Sequence, residues 1–407
     1  MKKKILVLSP WYPTLENPVQ GIFVQEQSAL LSEDFDVRVL VGEPISISFI
    51  GFFISKLKTK YCGLSLSSQI SDYKIQPPKA YQATYFHKKN WAVQHNIYLI
   101  QECFKTALTY LIEKENWKPD LIHAHVTNNG GIVGNFLSKQ FGIPIILTEH
   151  TGNFLLHKYS SVLNNAIIKT LKEVDVLIAV GSRQKQLIHL HEIYRPIEVI
   201  GNMIDDNLFF IPPEQKISTK FRILTTTRPS YEKDLTTFLL AIREVIAKPE
   251  NRDIQVDIIL GSTNAISSDG EDYIKKAQNI GVLSYCNFYF GVSRDEIIDF
   301  YQSCDVFVSS SIVESFGISM CEALACGKPV ISTNNGGSAD IITPNNGFIV
   351  PLQDYKALAE AIIKIKNKQV IFDPEQVRAS VVKKYGKEAF KDRIKSLYLQ
   401  VIDSFKK

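Results

Sequence analysis

A chain of 407 residues, 45% of them hydrophobic, is too long for one ordinary core and suits two globular domains of roughly 200 residues each. Its formal net charge of +4 divides as 21 Lys and Arg against 16 Asp and Glu in residues 1–200, and 25 against 26 in residues 201–407. So slight a bias does not suggest nucleic acid, though it suits an anionic surface or acceptor on the N-terminal side. Six cysteines (Cys62, Cys103, Cys286, Cys304, Cys321, Cys326) include no C-x-x-C pair and no His partner at metal spacing, which argues against a zinc site or a disulfide framework and suits a reducing cytoplasm.

The basic start Met1–Lys4 leads only to a short apolar run, Ile5–Leu8, ended by Ser9-Pro10, so it reads as a first buried strand and not as a secretory signal. Nowhere do about eighteen apolar residues run together, so no spanning helix is expected, and the protein is expected to be soluble or to sit on a surface. A Pro-rich loop, Ser9–Gln20, reaches Gly21 and an amphipathic helix Ile22–Leu31. This is a strand–loop–helix unit without G-x-G-x-x-G, which speaks against a dinucleotide dehydrogenase. Val37–Val41 is a second strand. Asp34-Phe35-Asp36 before it spells D-x-D, but its place at a helix-to-strand turn makes it a solvated turn.

A helical pattern runs from Val93 to Lys114, followed by a buried strand Asp120–His125, the turn Asn128-Asn129-Gly130-Gly131 and a helix to Gln140. Ile143–Leu147 is a strand ending in Thr148-Glu149-His150. His123, His125 and His150 therefore fall at strand carboxyl ends, where open α/β sheets bind ligands. For His123 a satisfied structural role is expected. Val174–Val180 is read as the sixth strand and Glu198–Ile200 as the seventh.

Pro212-Pro213 and the polar run to Thr219 read as a linker, and Phe221–Thr226 opens a second β-α-β series. It continues through helix Leu235–Ile246, strand Gln255–Leu260, helix Asp272–Ile280, strand Cys286–Phe290 and helix Glu296–Tyr301. Strand Asp305–Ser309 then leads by a polar loop, Ser310–Ser315, into Phe316-Gly317-Ile318 and a helix stopping at Gly327, with strand Val330–Thr333 beyond. Such a helix start offers unpaired N–H groups to an anion, most naturally a phosphate. The last helices start at Asp354, an N-cap, at Glu375 and at about Glu388. Glu314 and Glu322 stand eight positions apart across the organising stretch. Each has a plain reading, Glu314 as a solvated loop acid and Glu322 as the acid of a capping box with Ser319.

The stretch E-S-F-G-x-x-x-x-E-A-x-A-x-G-x-P-V from Glu314 to Val330 resembles the E-x7-E signature of the retaining glycosyltransferases of family 4. The resemblance covers most of the chain and is sharp from Thr225 to Gly337. It implies an α/β protein of GT-B fold: two Rossmann-like domains facing each other across a cleft, with a C-terminal helix returning to the first. Residues 1–203 would be the acceptor domain, 204–219 the linker, 220–387 the nucleotide-sugar donor domain and 388–407 the returning helix. Glu314 with the amides of Phe316, Gly317 and Ile318 would meet the donor sugar, and Glu322 the ribose hydroxyls. Arg228 and Lys233 resemble the family's R-x4-K, whose cations hold the donor diphosphate, although Thr227 and Asp234 replace its usual flanking glycines. His150, in T-x-H, would lie over the donor sugar, and Gly21 would approach donor phosphate and acceptor. Gly201-Asn202-Met203 departs from the family's P-N-G.

The activity implied is metal-independent transfer, with retention, of a hexosyl-type group from a nucleotide diphosphate sugar to an acceptor hydroxyl. No cofactor beyond that donor is expected, and no nucleophile is assigned. The acceptor would be a saccharide or lipid-linked saccharide, in cytoplasmic assembly of a bacterial-type polysaccharide or glycolipid. A sugar-nucleotide epimerase, a GT-B phosphorylase and a non-catalytic sugar-nucleotide binding protein remain as alternatives. Ile45–Lys60, a Phe-rich run followed by three lysines, suggests peripheral contact with the inner face of a membrane, or equally a core-packed insertion.

Overall fold

A computed structural model of the chain describes residues 2–13, 20–46, 63–66, 78–87, 92–152, 159–214, 218–261, 266 and 272–405. Most of the basic, Phe-rich run Ile45–Lys60 lies outside these residues. The described chain forms two compact units. The first comprises Met1–Val180, Gln184–Ile200 and Lys391–Lys407, and the second Gly181–Arg183 and Gly201–Phe390.

The first unit holds an eight-stranded sheet in the order β3-β4-β2-β1-β5-β6-β7-β8. Its strands are β1 Lys4–Ser9, β2 Asp36–Ser46, β3 Gly63–Leu66, β4 Lys79–His87, β5 Leu121–His125, β6 Ile145–Glu149, β7 Val176–Ala179 and β8 Glu198–Val199. All neighbours pair in parallel except β3 with β4. Central strands buried on both faces need unbroken apolar runs, and Ile5–Leu8 and Leu121–Ile122 supply them. Leu6, Leu8, Ile122, Ile145 and Leu147 pack with Phe104, Leu108 and Leu137 from the crossover helices, and each such side chain stabilises the unit by about 1.5–3 kcal/mol on burial.

Sequence pattern alone passes over β3 and β4, and over the helices Ser161–Glu173 and Ser182–His189. The reasons differ. β4 mixes Tyr81 and Tyr85 with lysine and glutamine, while Ser161–Glu173 buries only Ile167, Thr170 and Leu171, too thin an apolar stripe to stand out from Asn164-Asn165. The Asp34-Phe35-Asp36 turn is also less solvated than expected. Asp36 accepts the indole N–H of buried Trp117 at 2.8 Å, Asp34 pairs with Lys395 at 3.0 Å, and Phe35 is buried.

The second unit holds a six-stranded, wholly parallel sheet in the order β11-β10-β9-β12-β13-β14. Its strands are β9 Phe221–Thr227, β10 Ile254–Leu260, β11 Cys286–Phe290, β12 Val306–Ser309, β13 Val330–Thr333 and β14 Gly347–Val350. Counted from β9, this is the doubly wound order 3-2-1-4-5-6. Ile223, Val256, Ile258, Val306 and Ile331 pack with Phe238, Ile242, Leu358 and Ile362 from the flanking helices. Chain 201–214 is part of this unit: Ile204 bridges Gly386, and the Arg378 guanidinium donates to the carbonyls of Asp206 (2.7 Å) and Phe209 (2.5 Å).

The last helix, Lys387–Phe405, belongs to the first unit from Lys391 onward. Ile394, Tyr398, Val401 and Ile402 are its buried stripe, and the Tyr398 hydroxyl lies 2.6 Å from His123 Nδ1.

Candidate functional site

In the second unit the strand order reverses between β9 and β12, so the loops leaving these strands part and open a crevice at their carboxyl ends. The first loop is Arg228–Asp234. A tight turn over Tyr231–Lys233 delivers the chain to Asp234 at φ +41°, a left-handed conformation that glycine adopts without strain. Aspartate tolerates it because its carboxylate caps helix Leu235–Ile246, accepting the Thr237 N–H at 3.2 Å and hydroxyl at 2.6 Å. The residue standing in place of the expected glycine thus keeps the glycine's backbone shape.

The second loop, Ser310–Gly317, is stitched to the first. The Ser310 hydroxyl donates to the Asp234 carbonyl (2.8 Å), and the Ile312 N–H to the Glu232 carbonyl (2.8 Å). From the other side the Glu314 N–H donates to the Asn335 carbonyl at 3.0 Å. These bonds bring Lys233 and Glu314 into an ion pair, with the Ser311 hydroxyl donating to the same carboxylate oxygen at 3.0 Å. Arg228 is exposed and has no acidic partner among the described residues. Of the two cations, Arg228 is solvated, whereas the Lys233 side chain is only 20% exposed.

Gly317 enters helix Ile318–Ala325 at φ +106°. Gly337 lies so close that a β-carbon there would come within 2.2 Å of the Phe316 carbonyl oxygen, and the Phe316 ring is buried edge-on against Tyr385. The peptide N–H groups of Phe316, Gly317 and Ile318 are thereby held at the start of a helix, free of protein acceptors among the described residues.

Glu322 is not the acid of a capping box. The helix starts at Ile318 with Gly317 as its N-cap and no side-chain cap bond, which puts Glu322 past the first turn. It is 3% exposed; one carboxylate oxygen pairs with Arg294, and the other accepts the Tyr301 hydroxyl at 2.9 Å. Sequence reasoning missed Arg294 and Tyr301. Neither falls in a motif, and only the fold brings them to Glu322.

In the first unit the reversal lies between β1 and β5, and a pocket of about 210 Å³ opens at their carboxyl ends. Ser9, Trp11, Gln20, Tyr85, Phe104 and Asn129 are among its walls. Gly21 is required here by packing: at φ +68° its missing side chain leaves room for the Trp11 backbone, which a β-carbon would meet at 2.3 Å. The turn after β5 is strained, with β-branched Val126 at φ +63°. Fully buried Glu149 holds it. Its carboxylate accepts the N–H (2.8 Å) and hydroxyl of Thr127 and the N–H groups of His150 (2.9 Å) and Thr151 (2.7 Å).

His123 is satisfied at both nitrogens, by Tyr398 and by Thr148 (2.8 Å), as a structural histidine should be. His125 Nδ1 and His150 Nε2 lie 2.9 Å apart, and Phe23 packs on the His150 ring at 4.8 Å between centroids. Burial pushes His123 and His150 down to about 3 and His125 well below the usual imidazole range, so all three are neutral near pH 7. Among the described residues His150 Nδ1 is buried without a hydrogen-bond partner.

In the second unit Lys233 and Glu314 thus pair beside the helix start at Phe316–Ile318, and Glu322 stands on that helix; in the first, Gly21 opens the helix whose Phe23 packs on His150. Among the described residues no group of three or more His, Cys, Asp and Glu could hold a metal ion, and no helix is long and apolar enough to cross a membrane.

Residues 76–208 match the model of the family described as Glycosyltransferase Family 4, and residues 207–398 that of Glycosyl transferases group 1. The chain is 24% identical over 401 residues to the UDP-Gal:alpha-D-GlcNAc-diphosphoundecaprenol alpha-1,3-galactosyltransferase of Escherichia coli, covering 94% of each chain. It is 21% identical over 336 residues to the N-acetyl-alpha-D-glucosaminyl L-malate synthase of Bacillus anthracis, covering 80% of this chain and 86% of the other. The solved sucrose-phosphate synthase of Thermosynechococcus elongatus superposes with a TM-score of 0.74 at 19% identity, over 99% of this chain and 100% of that one, and shares its fold. With E-x7-E at the switch point of a doubly wound sheet and two family models running from residue 76 to residue 398, the chain is a glycosyltransferase of GT-B fold and belongs to glycosyltransferase family 4.

Proposed function

We propose that the protein transfers a hexosyl-type group, with retention and without a metal, from a nucleoside diphosphate sugar to a hydroxyl of a saccharide or lipid-linked saccharide acceptor. The observation that supports this reading is the ion pair of Lys233 with Glu314 just before the helix start at Phe316–Ile318, whose N–H groups have no protein acceptor among the described residues, with Arg228 on the same loop as Lys233. Charge grows on the leaving diphosphate in the transition state, and preorganised cations and helix-start N–H groups lower the barrier by meeting it there. In this reading Arg228 and Lys233 take the diphosphate and act without a metal's charge. Glu314 and the Phe316–Ile318 amides orient the sugar, and Glu322 takes the ribose. Gly21 lets the loop after β1 come close to donor phosphate or acceptor, and His150 offers its unsatisfied Nδ1 to the donor sugar.

A uridine donor and a lipid-linked acceptor are supported by the relative from Escherichia coli, whose name states a UDP-Gal donor and a diphosphoundecaprenol-linked acceptor. They would place the work in polysaccharide or glycolipid assembly, with peripheral contact at the inner face of a membrane. The test is incubation with UDP-galactose, UDP-glucose and GDP-mannose, each with and without polyprenyl-diphosphate saccharides. NMR of the product reads the anomeric configuration. Transfer with an α-linkage from an α-donor is expected. Inversion would refute the retaining reading, and turnover without acceptor to an epimerised donor would refute transfer itself.

A further inference from the structure

We propose that Tyr301 and Arg294 are positioning residues that hold the Glu322 carboxylate in the orientation that accepts both hydroxyls of a ribose, and so make the protein prefer ribonucleotides to deoxyribonucleotides. The inference rests on the reading of Glu322 as the ribose acid.

An ionised carboxylate has about four acceptor positions, two on each oxygen. Arg294 takes one on Oε1 and the Tyr301 hydroxyl one on Oε2. One position remains on each oxygen, and a vicinal diol needs that pair. What fixes the plane of the carboxylate is the packing behind it. Tyr301 is fully buried, edge-on to Phe209 at 5.6 Å and tilted against Phe307 at 5.8 Å. Burial first, and the neighbouring Glu322 next, raise its phenol well above the usual range, so it remains an O–H donor. The Arg294 guanidinium lies 4.7 Å from the centroid of the same Phe209 ring, which braces both donors with one side chain.

The terminal torsion of a glutamate is broad and would not hold this plane by itself. Without the tyrosine hydroxyl the carboxylate can turn to meet Arg294 through both oxygens, as carboxylates and guanidinium groups prefer, and the outer positions are then consumed. Tyr301→Phe should therefore damage recognition of the diol more than it damages the fold, since it removes one oxygen and leaves the packed ring.

The experiment is calorimetric titration of the full chain with UDP, GDP and ADP and with their 2′-deoxy forms, for wild type, Tyr301→Phe and Arg294→Gln. Wild type should bind one ribonucleotide about tenfold or more tighter than its deoxy form, the worth of a hydrogen bond to a charged acceptor. In Tyr301→Phe the ratio should fall to within about threefold, mainly by loss of ribonucleotide affinity. No preference by wild type with any base would overturn the ribose reading of Glu322, and this proposal with it. A wild-type preference that both variants keep would overturn the positioning role alone. Equal weakening of both nucleotide forms would do the same, because it would mark Tyr301 as support for the fold only. Should Tyr301→Phe not fold, Arg294→Gln reads the same ratio from a side chain that is 19% exposed.

Discussion

Replacing Lys233 by alanine and Arg228 by alanine should produce the same loss of activity and different losses of stability. Both cations are assigned to the donor diphosphate, and removal of one preorganised charge partner costs about 10²–10³ in turnover. Their surroundings differ. Arg228 is exposed, and truncation of such a side chain changes stability by about 0.5 kcal/mol or less. Lys233 and Glu314 are each 20% exposed, between surface pairs worth about 0.2–1 kcal/mol and buried pairs whose breaking costs about 3–5. The expected cost of Lys233→Ala is about 1–3 kcal/mol. In a unit of this size that lowers the melting temperature by roughly 2–12 °C, against less than about 2 °C for Arg228→Ala. The assays are scanning calorimetry without ligand and release of nucleoside diphosphate from the donor sugar. Adding Glu314→Ala to Lys233→Ala should restore part of the lost stability, because no carboxylate is then left unpaired. Melting of Lys233→Ala at the wild-type temperature would show that the pair contributes nothing to the fold. Normal turnover in either variant would refute the assignment to the diphosphate.

Glu322→Gln should weaken nucleotide binding by about tenfold, since hydrogen bonds to a charged acceptor are the stronger kind, and should also lower the melting temperature because Arg294 loses its ionic partner; wild-type nucleotide affinity, read by calorimetric titration, would count against the ribose role. Gly337→Ala should cost about 1–3 kcal/mol and lower donor affinity, because the new methyl meets the Phe316 carbonyl and displaces the amides that follow it; a chemical-denaturation curve matching wild type would refute this. Acid should destabilise the first unit. His123 and His150 titrate at about 3 when folded and near 6.5 when unfolded, so the unfolded chain binds more protons between these values, and stability present above pH 6.5 is lost as pH falls toward 3. Melting temperatures between pH 7 and pH 4.5 read the slope, which His123→Gln should reduce; a flat profile would refute the burial argument.

How much of this was legible depends on whether the deciding interaction is local. The strand Cys286–Phe290 and the helix Leu235–Ile246 were readable to the residue, because an apolar run bounded by turn residues, or a 3.6-residue period, is written in consecutive positions. Glu314, Glu322, Arg228 and Lys233 were readable as a motif for the same reason. The partners were not. Arg294 precedes Glu322 by 28 residues, and Lys233 precedes Glu314 by 81; the strand order makes these distances short, and no sequence period reports it. Glu149 was hidden inside T-x-H as the variable letter. Two of its four accepted hydrogen bonds come from the adjacent N–H groups of His150 and Thr151, but the other two come from the N–H and hydroxyl of Thr127, which only the finished sheet brings to it.

That each glutamate of the signature carries a cation has a consequence for the chemistry. A donor diphosphate is an anion, and two bare carboxylates beside it would repel it. At about 6 Å and an effective dielectric of about 20, each such pair of charges costs roughly 3 kcal/mol. Protonating the acids would remove the repulsion, but it would also remove the acceptor lone pairs that orient sugar and ribose. Pairing Glu314 with Lys233 and Glu322 with Arg294 keeps the lone pairs and cancels the charge. The two pairs then play different parts. In the proposed reading Lys233, on the loop that also presents Arg228, turns part of its charge toward the incoming diphosphate while Ser311 continues to hold Glu314. Arg294, stacked on Phe209, stays with Glu322. In the proposed reading the acid that meets the sugar is therefore the one whose partner is shared with the leaving group, so that growth of charge on the diphosphate draws Lys233 toward it as the bond breaks.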